Sequence, residues 1–222
     1  MPGPRLILLR HGEVVSHRGD QPLTEAGREQ AERAGHGLAS RVTGPVRLLC
    51  SATLRASQTA DGIRAGLTAA DPDLVVGRPT VAFALRNPDL YLAGERVDMV
   101  SSAQALADQV PGLSADAVAA VPFFADFLGT PDRIGRWVEE PLPPGDDVAA
   151  VAARIVAFGS SLGDSGPAAP ATVVAVTHSP VLRAVAVARL GQDPGEPPYL
   201  EGYALDVTDA RSAAVVQFSP FD

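Results

Sequence analysis

The chain has 222 residues, of which 46% are apolar and 20% charged, and its formal net charge is −8. This length suffices for one large α/β domain with a sizeable core, and the negative charge argues against broad binding to nucleic acids or anionic membranes. All 18 basic residues are arginines, which excludes a P-loop lysine and Schiff-base chemistry. The single cysteine, Cys50, excludes an intramolecular disulfide and multi-cysteine metal sites.

The sequence contains no run of 18 apolar residues, so we expect no membrane-spanning helix. The apolar run at the N-terminus is too short for a signal peptide, which favours a cytoplasmic location. The histidines do not form an HExxH-type ligand pair, so we expect neither a metal ion nor another cofactor.

Short apolar runs alternate with helical patterns along most of the chain. In chain order they predict a strand at 5–9, a helix at 24–40 with Thr24 as N-cap, a strand at 46–50, a helix at 53–70, a strand at 80–85, a helix after Asp146 or Asp147, a strand at 172–177, a helix from Pro180 to Gly191, and a closing pair of strands at 203–207 and 213–218, possible as a hairpin across "TDARS". Strands that alternate with helices form parallel βαβ units. We therefore predict an α/β fold, a three-layer sandwich with a mostly parallel central sheet flanked by helices.

The interval 87–145 interrupts this alternation. It is rich in proline, aspartate and phenylalanine and contains short helical patterns at 101–110 and 114–128. We interpret residues 1–222 as a single domain in which 87–145 is a helical cap insertion.

Basic side chains follow three of the predicted strands. Arg10 and His11 end the first strand, Arg55 lies in the first turns of the helix after the second, and His178 follows the strand at 172–177. Ser179 then begins a helix whose first N–H groups have no intrahelical partner. Ligands of open α/β sheets bind beyond the carboxyl ends of the strands, and arginine holds phosphate oxygens bidentately. The pattern predicts a small cationic pocket for a tetrahedral anion.

Several stretches resemble the histidine phosphatase superfamily, which has the phosphoglycerate mutase-like fold. They are "LLRHGE" (8–13), "DQPLTEAGREQA" (20–31), "SATLRASQTA" (51–60), "PPGDDVAAVAARI" (143–155) and "VVAVTHSP" (173–180). The resemblance implies that His11 is the nucleophile and is phosphorylated, while Arg10, Arg55 and His178 hold the transferring oxygens. Ser179 is a further phosphate-binding candidate, and His17 stands where the family usually has a phosphate-contacting asparagine.

The sequence departs from the family pattern at the position of the proton donor. The family usually has a glutamate after the third strand, whereas this chain has Asn87, which cannot deliver a proton. General acid catalysis is typically worth about 10² to 10⁴ in rate. Asp89 is our first candidate for a substitute acid, followed by Glu95 and Asp98; otherwise the leaving group needs no acid, or turnover has been lost.

The function implied by the resemblance is hydrolysis of a small organic phosphomonoester through a phosphohistidine intermediate, without a metal ion. A phosphoglycerate mutase-like phosphotransferase and a catalytically impaired phospho-ligand-binding protein are the alternatives. The expected partner is a phosphorylated small molecule, with no nucleic acid and no membrane, and the sequence leaves open whether the chain forms a homo-oligomer.

Overall fold

The computed structural model describes residues 5–16, 19–164, 171–206 and 214–222. Its strands are β1 (Arg5–Arg10), β2 (Val46–Cys50), β3 (Thr80–Val81), β4 (Leu90–Leu92), β5 (Glu95–Val97), β6 (Thr172–Thr177), β7 (Gly202–Asp206) and β8 (Ala214–Phe218). Its helices are α1 (Glu25–Ala39), α2 (Leu54–Ala70), α3 (Ala103–Ala107), α4 (Ala115–Ala119), α5 (Pro122–Gly129), α6 (Arg133–Glu139), α7 (Val148–Ser161) and α8 (Ser179–Leu190).

Six strands form one central sheet in the order β3-β2-β6-β1-β7-β8. Strands β3, β2, β6 and β1 are parallel to one another, whereas β7 runs antiparallel to β1 and β8 antiparallel to β7. Helices cover both faces, so the predicted three-layer α/β sandwich with a mostly parallel sheet is confirmed.

The apolar residues of β1 point alternately to the two faces of the sheet. Leu6 and Leu8 pack into the cluster that contains residues of α7 and α8, and Ile7 and Leu9 pack into the cluster that contains residues of α1 and α2. A strand that is buried on both faces is apolar throughout instead of alternating with polar residues. This explains why β1 and β6 appear in the sequence as continuous apolar runs.

The predicted helix caps are present. The Thr24 side chain accepts a hydrogen bond from the Gly27 N–H at 2.9 Å, and the Asp147 side chain accepts one from the Ala150 N–H at 2.7 Å. Gly191 ends α8 in the left-handed region at φ 77°, where a residue without a Cβ is favoured. The starts of α1 and α7 and the end of α8 were therefore predictable from local sequence.

The predicted third strand at 80–85 is wrong in its second half. Only Thr80–Val81 pair with β2, at the edge of the sheet, and Phe83–Leu85 form a turn of 3₁₀ helix. Leu85 is fully buried and its carbonyl accepts a hydrogen bond from the Thr177 hydroxyl at 2.8 Å. This contact turns the chain away from the sheet edge and towards the end of β6.

The interval 87–145 contributes no strand to the central sheet. It forms the β4–β5 hairpin and the four short helices α3 to α6, and the pattern at 114–128 is divided at Pro122, the first residue of α5. Its apolar residues join the same core cluster as α7 and α8; one of them is the fully buried Trp137, whose indole N–H donates to the Asp146 carbonyl at 2.9 Å. Its description as a cap insertion within one domain stays an interpretation.

The predicted closing pair of strands is observed as the antiparallel pair β7 and β8, whereas the turn "TDARS" lies outside the described residues.

Within the described part of the chain, the helices are too short or too polar to cross a bilayer.

Helices α1 and α2 approach each other closely at glycines, which yields a test of the packing. A Cβ on Gly35 would lie 2.3 Å from the Ile63 carbonyl oxygen, a backbone atom that cannot move aside. We expect Gly35→Ala to lower the free energy of unfolding by about 1–3 kcal/mol, the usual cost of overpacking. Chemical denaturation measures the change.

Gly129→Ala provides the matched control, because a Cβ at this exposed position in α5 meets nothing within 4 Å. In a helix, alanine is favoured over glycine by roughly 0.5–1 kcal/mol, so this variant should be as stable as the wild type or slightly more so. Equal denaturation midpoints for the two variants would contradict the close α1–α2 contact.

Candidate active site

The carboxyl ends of three adjacent strands converge at one edge of the sheet. Strand β6 lies between β1 and β2 and is parallel to both, with Thr177 opposite Arg10 and Val176 opposite Cys50. The ladder continues beyond the strands, because the His11 N–H donates to the Thr177 carbonyl at 3.0 Å. The residues that follow each strand are therefore held within a few ångströms of one another.

Two cavities meet at these strand ends. The first, of about 580 Å³, is termed here the cap cavity; it is lined by His11, Ser179 and Pro180 and by residues of the interval 87–145, including Phe127, Arg133 and Ile134. The second, of about 540 Å³, is termed the hairpin cavity; it is lined by Ser51, Thr53 and Phe83 and by Arg96 and Asp98 around β5. Both cavities share the side chains of Arg55, Asn87, Met99, Val100 and His178.

The His11 ring is oriented by its own backbone. Its Nδ1 lies 2.8 Å from the Gly12 carbonyl oxygen, which can only accept, so Nδ1 carries the proton. The neutral ring then has its lone pair at Nε2, as a nucleophile requires. Gly12 is fixed in turn, because its N–H donates to the Thr59 hydroxyl at 2.9 Å and a Cβ there would lie 2.9 Å from the Gly27 carbonyl oxygen.

The His178 ring lies beside that of His11. The ring centroids are 5.4 Å apart in an edge-to-face arrangement, and both residues are almost fully buried. The Nε2 of His178 forms a hydrogen bond of 2.7 Å with the Ser51 hydroxyl, which comes from the end of β2. The three strand ends thus share one side-chain network.

The guanidinium of Arg10 is buried and held from three sides. It donates to the Pro197 carbonyl at 2.6 Å, forms an ion pair with Glu196 at 2.6 Å, and stacks over the Tyr199 ring at 4.1 Å. Burial lowers the pKa of Arg10 below its ordinary value, and the nearby Glu196 carboxylate opposes this shift. An arginine nevertheless stays charged at any working pH.

No sequence motif indicated Glu196 and Tyr199 as site residues. They lie in the loop before β7, and they reach Arg10 because β7 returns antiparallel beside β1, with the Leu200 N–H donating to the Arg10 carbonyl at 3.1 Å. The sequence "GEPPYLEG" contains no motif for such a contact, so only the tertiary structure identifies these residues.

The side chain of Arg55 lies on the first turn of α2 and lines both cavities. Burial lowers the pKa of Arg55 below its ordinary value, although the negative charges of Asp20 and Asp98 act to raise it. Asp20 lies 3.5 Å from the guanidinium and also accepts the Leu54 N–H at 2.9 Å, so it orients the start of the helix and the arginine together. Two largely buried cations and the N-terminus of α8 therefore surround the cavities, an arrangement that favours an anion.

The remaining phosphate-binding candidates have different outcomes. Ser179 is buried at the start of α8 and lines the cap cavity, but its hydroxyl donates to Glu196 at 2.5 Å. His17 lies outside the described residues. Of the sequence candidates, the structure brings Arg10, His11, Arg55, His178 and Ser179 around one cavity.

Asp89, the first candidate for the proton donor, does not line either cavity. Its carboxylate accepts hydrogen bonds from Arg86 at 2.5 and 2.9 Å and from Arg96 at 2.6 Å. Partial burial would raise the pKa of Asp89, but the hydrogen bonds and charges of the two arginines outweigh it and lower the pKa below its ordinary value. In this arrangement the Asp89 carboxylate links two arginines and lies outside the cavity lining, so the geometry does not support Asp89 as the acid, and that role stays a prediction from sequence.

Of the other two candidates for the acid, one is exposed to solvent and the other lines a cavity. Glu95 is exposed on the β4–β5 hairpin and does not line either cavity. Asp98 does line the hairpin cavity, where it is paired with Arg96 at 3.0 Å. Among the described residues, we find no group of three or more His, Cys, Asp or Glu side chains placed to hold a metal ion.

Comparison with known proteins agrees with this architecture. Residues 6–74 match the family model of the histidine phosphatase superfamily (branch 1). A search of curated proteins finds no match for the chain. The family model confirms the sequence resemblance to the histidine phosphatase superfamily over this N-terminal segment. The segment contains the carboxyl ends of β1 and β2 and the motifs at 8–13, 20–31 and 51–60.

Solved structures extend the likeness to nearly the whole chain. A mycobacterial glucosyl-3-phosphoglycerate phosphatase is 23% identical, with 97% of both chains covered and a TM-score of 0.60. Its complex with inorganic phosphate is 24% identical, with 98% of this chain and 96% of that chain covered and a TM-score of 0.60. A phosphoglycerate mutase from Bacillus anthracis is 17% identical, with 98% and 93% covered and a TM-score of 0.60. At these identities the likeness establishes a shared fold.

The contacts of Asp89 predict how stability depends on pH. A carboxylate whose pKa is lowered by folding contributes stability that is present above its unfolded pKa, about 3.9, and is lost as the pH falls through the lower folded pKa. Asp89→Asn should therefore be less stable than the wild type at pH 7, and the difference should shrink as the pH falls below about 4. Denaturant unfolding at a series of pH values measures this.

The exposed Glu139 offers the matched control, since Glu139→Gln should leave the pH profile of stability close to that of the wild type. Equal stability of Asp89→Asn and the wild type at pH 7 would contradict the ion pairs of Asp89 with Arg86 and Arg96.

Proposed function

We propose that the chain is a phosphoric monoester hydrolase that acts on a small organic phosphate through a phosphohistidine at His11. The observation that carries this proposal is the His11 ring, with its Nδ1 proton bound to the Gly12 carbonyl, which lies beside His178 at a cavity that Arg10 and Arg55 also line. A nucleophile and several cations around one cavity are what phosphoryl transfer needs, because its catalysis is mainly positioning and charge stabilisation.

In the first step, the lone pair on Nε2 of His11 attacks phosphorus, and the leaving oxygen departs on the opposite side. The bond from Nδ1 to the Gly12 carbonyl stabilises the positive ring that forms. Arg10 and Arg55 would bind the phosphoryl oxygens together with His178. In the second step, water attacks phosphorus and returns the electron pair to Nε2, so neither step uses a metal ion.

The two cavities support a substrate with a part beyond the phosphate group. The cap cavity presents apolar side chains, among them Phe127 and Ile134, together with Arg133. Such a surface suits an organic group with a ring or acyl portion and a further negative charge. The cytoplasmic location stays a prediction from sequence.

His11→Ala tests the proposal. Without the nucleophile, hydrolysis of an aryl phosphate should fall by about 10³-fold or more. His36→Ala is the matched control, since His36 is exposed on α1 and its loss should leave the rate unchanged. Orthovanadate, a phosphate analogue, should still bind the His11→Ala protein, which shows that the site is folded.

Trapping the intermediate separates the alternatives. Acid quenching of wild type with a labelled substrate should give an acid-labile phosphoenzyme that His11→Ala lacks. Free phosphate as product supports the hydrolase, whereas phosphoryl exchange within a bisphosphate-primed substrate would identify a mutase. Tight vanadate binding with no phosphoenzyme and no product would identify a phospho-ligand-binding protein and overturn the proposal.

A further inference from the structure

The position of Asn87 is fixed by the backbone on its N-terminal side. The Leu85 carbonyl accepts from the Thr177 hydroxyl at 2.8 Å, and the Arg86 carbonyl accepts from the Arg154 guanidinium at 2.8 Å. Thr177 is the last residue of β6, directly before His178. The side chain of Asn87 consequently lines both cavities, where they share the two basic residues Arg55 and His178.

The amide oxygen of Asn87, Oδ1, is buried and accepts no hydrogen bond from the described residues. A buried acceptor without a partner is unfavourable, so this amide is available to hydrogen-bond a bound ligand. An amide can orient a ligand, but it has no proton that it can release to a leaving group.

The carboxylates that line the two cavities are engaged by protein donors. Those of the described residues are Asp20, Asp98, Asp108, Asp132 and Glu196. Asp20 accepts a hydrogen bond from the Leu54 N–H, and Asp108 accepts one from the Gln104 side chain. The other three form ion pairs: Asp98 with Arg96, Asp132 with Arg183, and Glu196 with Arg10. For Asp132 the hydrogen bonds from Arg183, together with that from the Gly135 N–H, outweigh burial and lower its pKa. The described carboxylates that line the cavities are thus all bound by donors of the protein itself.

Among the described residues, an amide at Asn87 and carboxylates bound by protein donors restrict which phosphoryl compounds can react. When the P–O bond breaks, its electron pair stays on the leaving oxygen. An alkoxide is a strong base that must be protonated as it leaves, and a general acid is worth about 10² to 10⁴ in rate at this step. A carboxylate, a phosphate or a phenolate carries the charge by itself and needs no proton.

Provided that the proposed function holds, we infer that the substrate is a phosphoryl compound whose leaving group departs as a stable anion. Acyl phosphates, phosphoanhydrides, and aryl or enol phosphates share this chemistry, whereas alkyl phosphates such as sugar phosphates do not. Asn87 sets this preference, because it places a hydrogen-bonding amide without an ionisable proton next to the reacting phosphate.

The reaction balances without a proton donor. Nε2 of His11 forms the N–P bond, the P–O bond breaks, and the leaving group carries away the electron pair as an anion. Water then adds to phosphorus, the N–P bond breaks, and its pair returns to Nε2. Both water protons leave with the product as dihydrogen phosphate, which equilibrates with solvent.

Leaving-group dependence tests the inference. We would measure kcat/KM for a series of aryl phosphates of graded phenol acidity and for one alkyl phosphate, with wild type and Asn87→Glu. The wild-type value should fall steeply as the phenol becomes less acidic. Asn87→Glu should raise kcat/KM for the alkyl phosphate by about 10²- to 10⁴-fold while changing little for the most acidic phenol.

Asn87→Gln is the matched control, because it has the length of glutamate but keeps the amide, and it should not raise alkyl phosphate hydrolysis. A shallow wild-type dependence would overturn the inference on its own, whether or not Asn87→Glu folds. A steep dependence in both proteins, with Asn87→Glu binding orthovanadate normally, would overturn the role of Asn87. Aryl phosphate hydrolysis that does not require His11 would instead be a failure of the proposed function.

Discussion

The pairing of β6 with both β1 and β2 is the constraint on which the site depends. Because the three strands are parallel and in register, the residues that follow Arg10, Cys50 and Thr177 leave the sheet side by side. Two imidazoles and the Ser51 hydroxyl therefore meet at hydrogen-bonding or ring-contact distance, although they are far apart in the sequence. The burial of β1 and β6 on both faces, between two layers of helices, keeps this register rigid.

Burying cations at this edge has an energetic cost, and the fold offsets it with local partners. The guanidinium of Arg10 has Glu196 and the Pro197 carbonyl, and that of Arg55 has Asp20. Desolvation lowers the pKa of both arginines, yet both keep their charge, so the cavity offers preorganised positive charge without reorganisation of solvent. In a chain whose net charge is −8, this local concentration is what makes an anion site compatible with an acidic protein.

The hairpin at 90–97 and the loop before it have a different electrostatic role from the strand ends. The Asp89 carboxylate accepts from Arg86 and Arg96, and so joins the preceding loop to the hairpin. The Asp89 backbone N–H donates to the Asp146 carboxylate at 3.1 Å, which joins this segment to the residues before α7. The same segment places Asn87 at the cavities. Asp89 thus stabilises the structure of this segment, whereas Asn87, two residues earlier, lines the cavities; an acid at Asp89 would require the reverse arrangement.

Local sequence determined the buried strands, the caps at Thr24, Asp147 and Gly191, and the basic residues at the strand ends, because strand burial and capping depend on neighbouring residues. It misjudged 80–85 because the Leu85 carbonyl bonds to Thr177, 92 residues away, instead of continuing an edge strand. It could not identify Glu196 and Tyr199, whose contact with Arg10 requires the antiparallel return of β7. Only the tertiary structure decided which carboxylates are engaged by arginines and which side chain faces the cavities, since such pairing depends on distances across the fold.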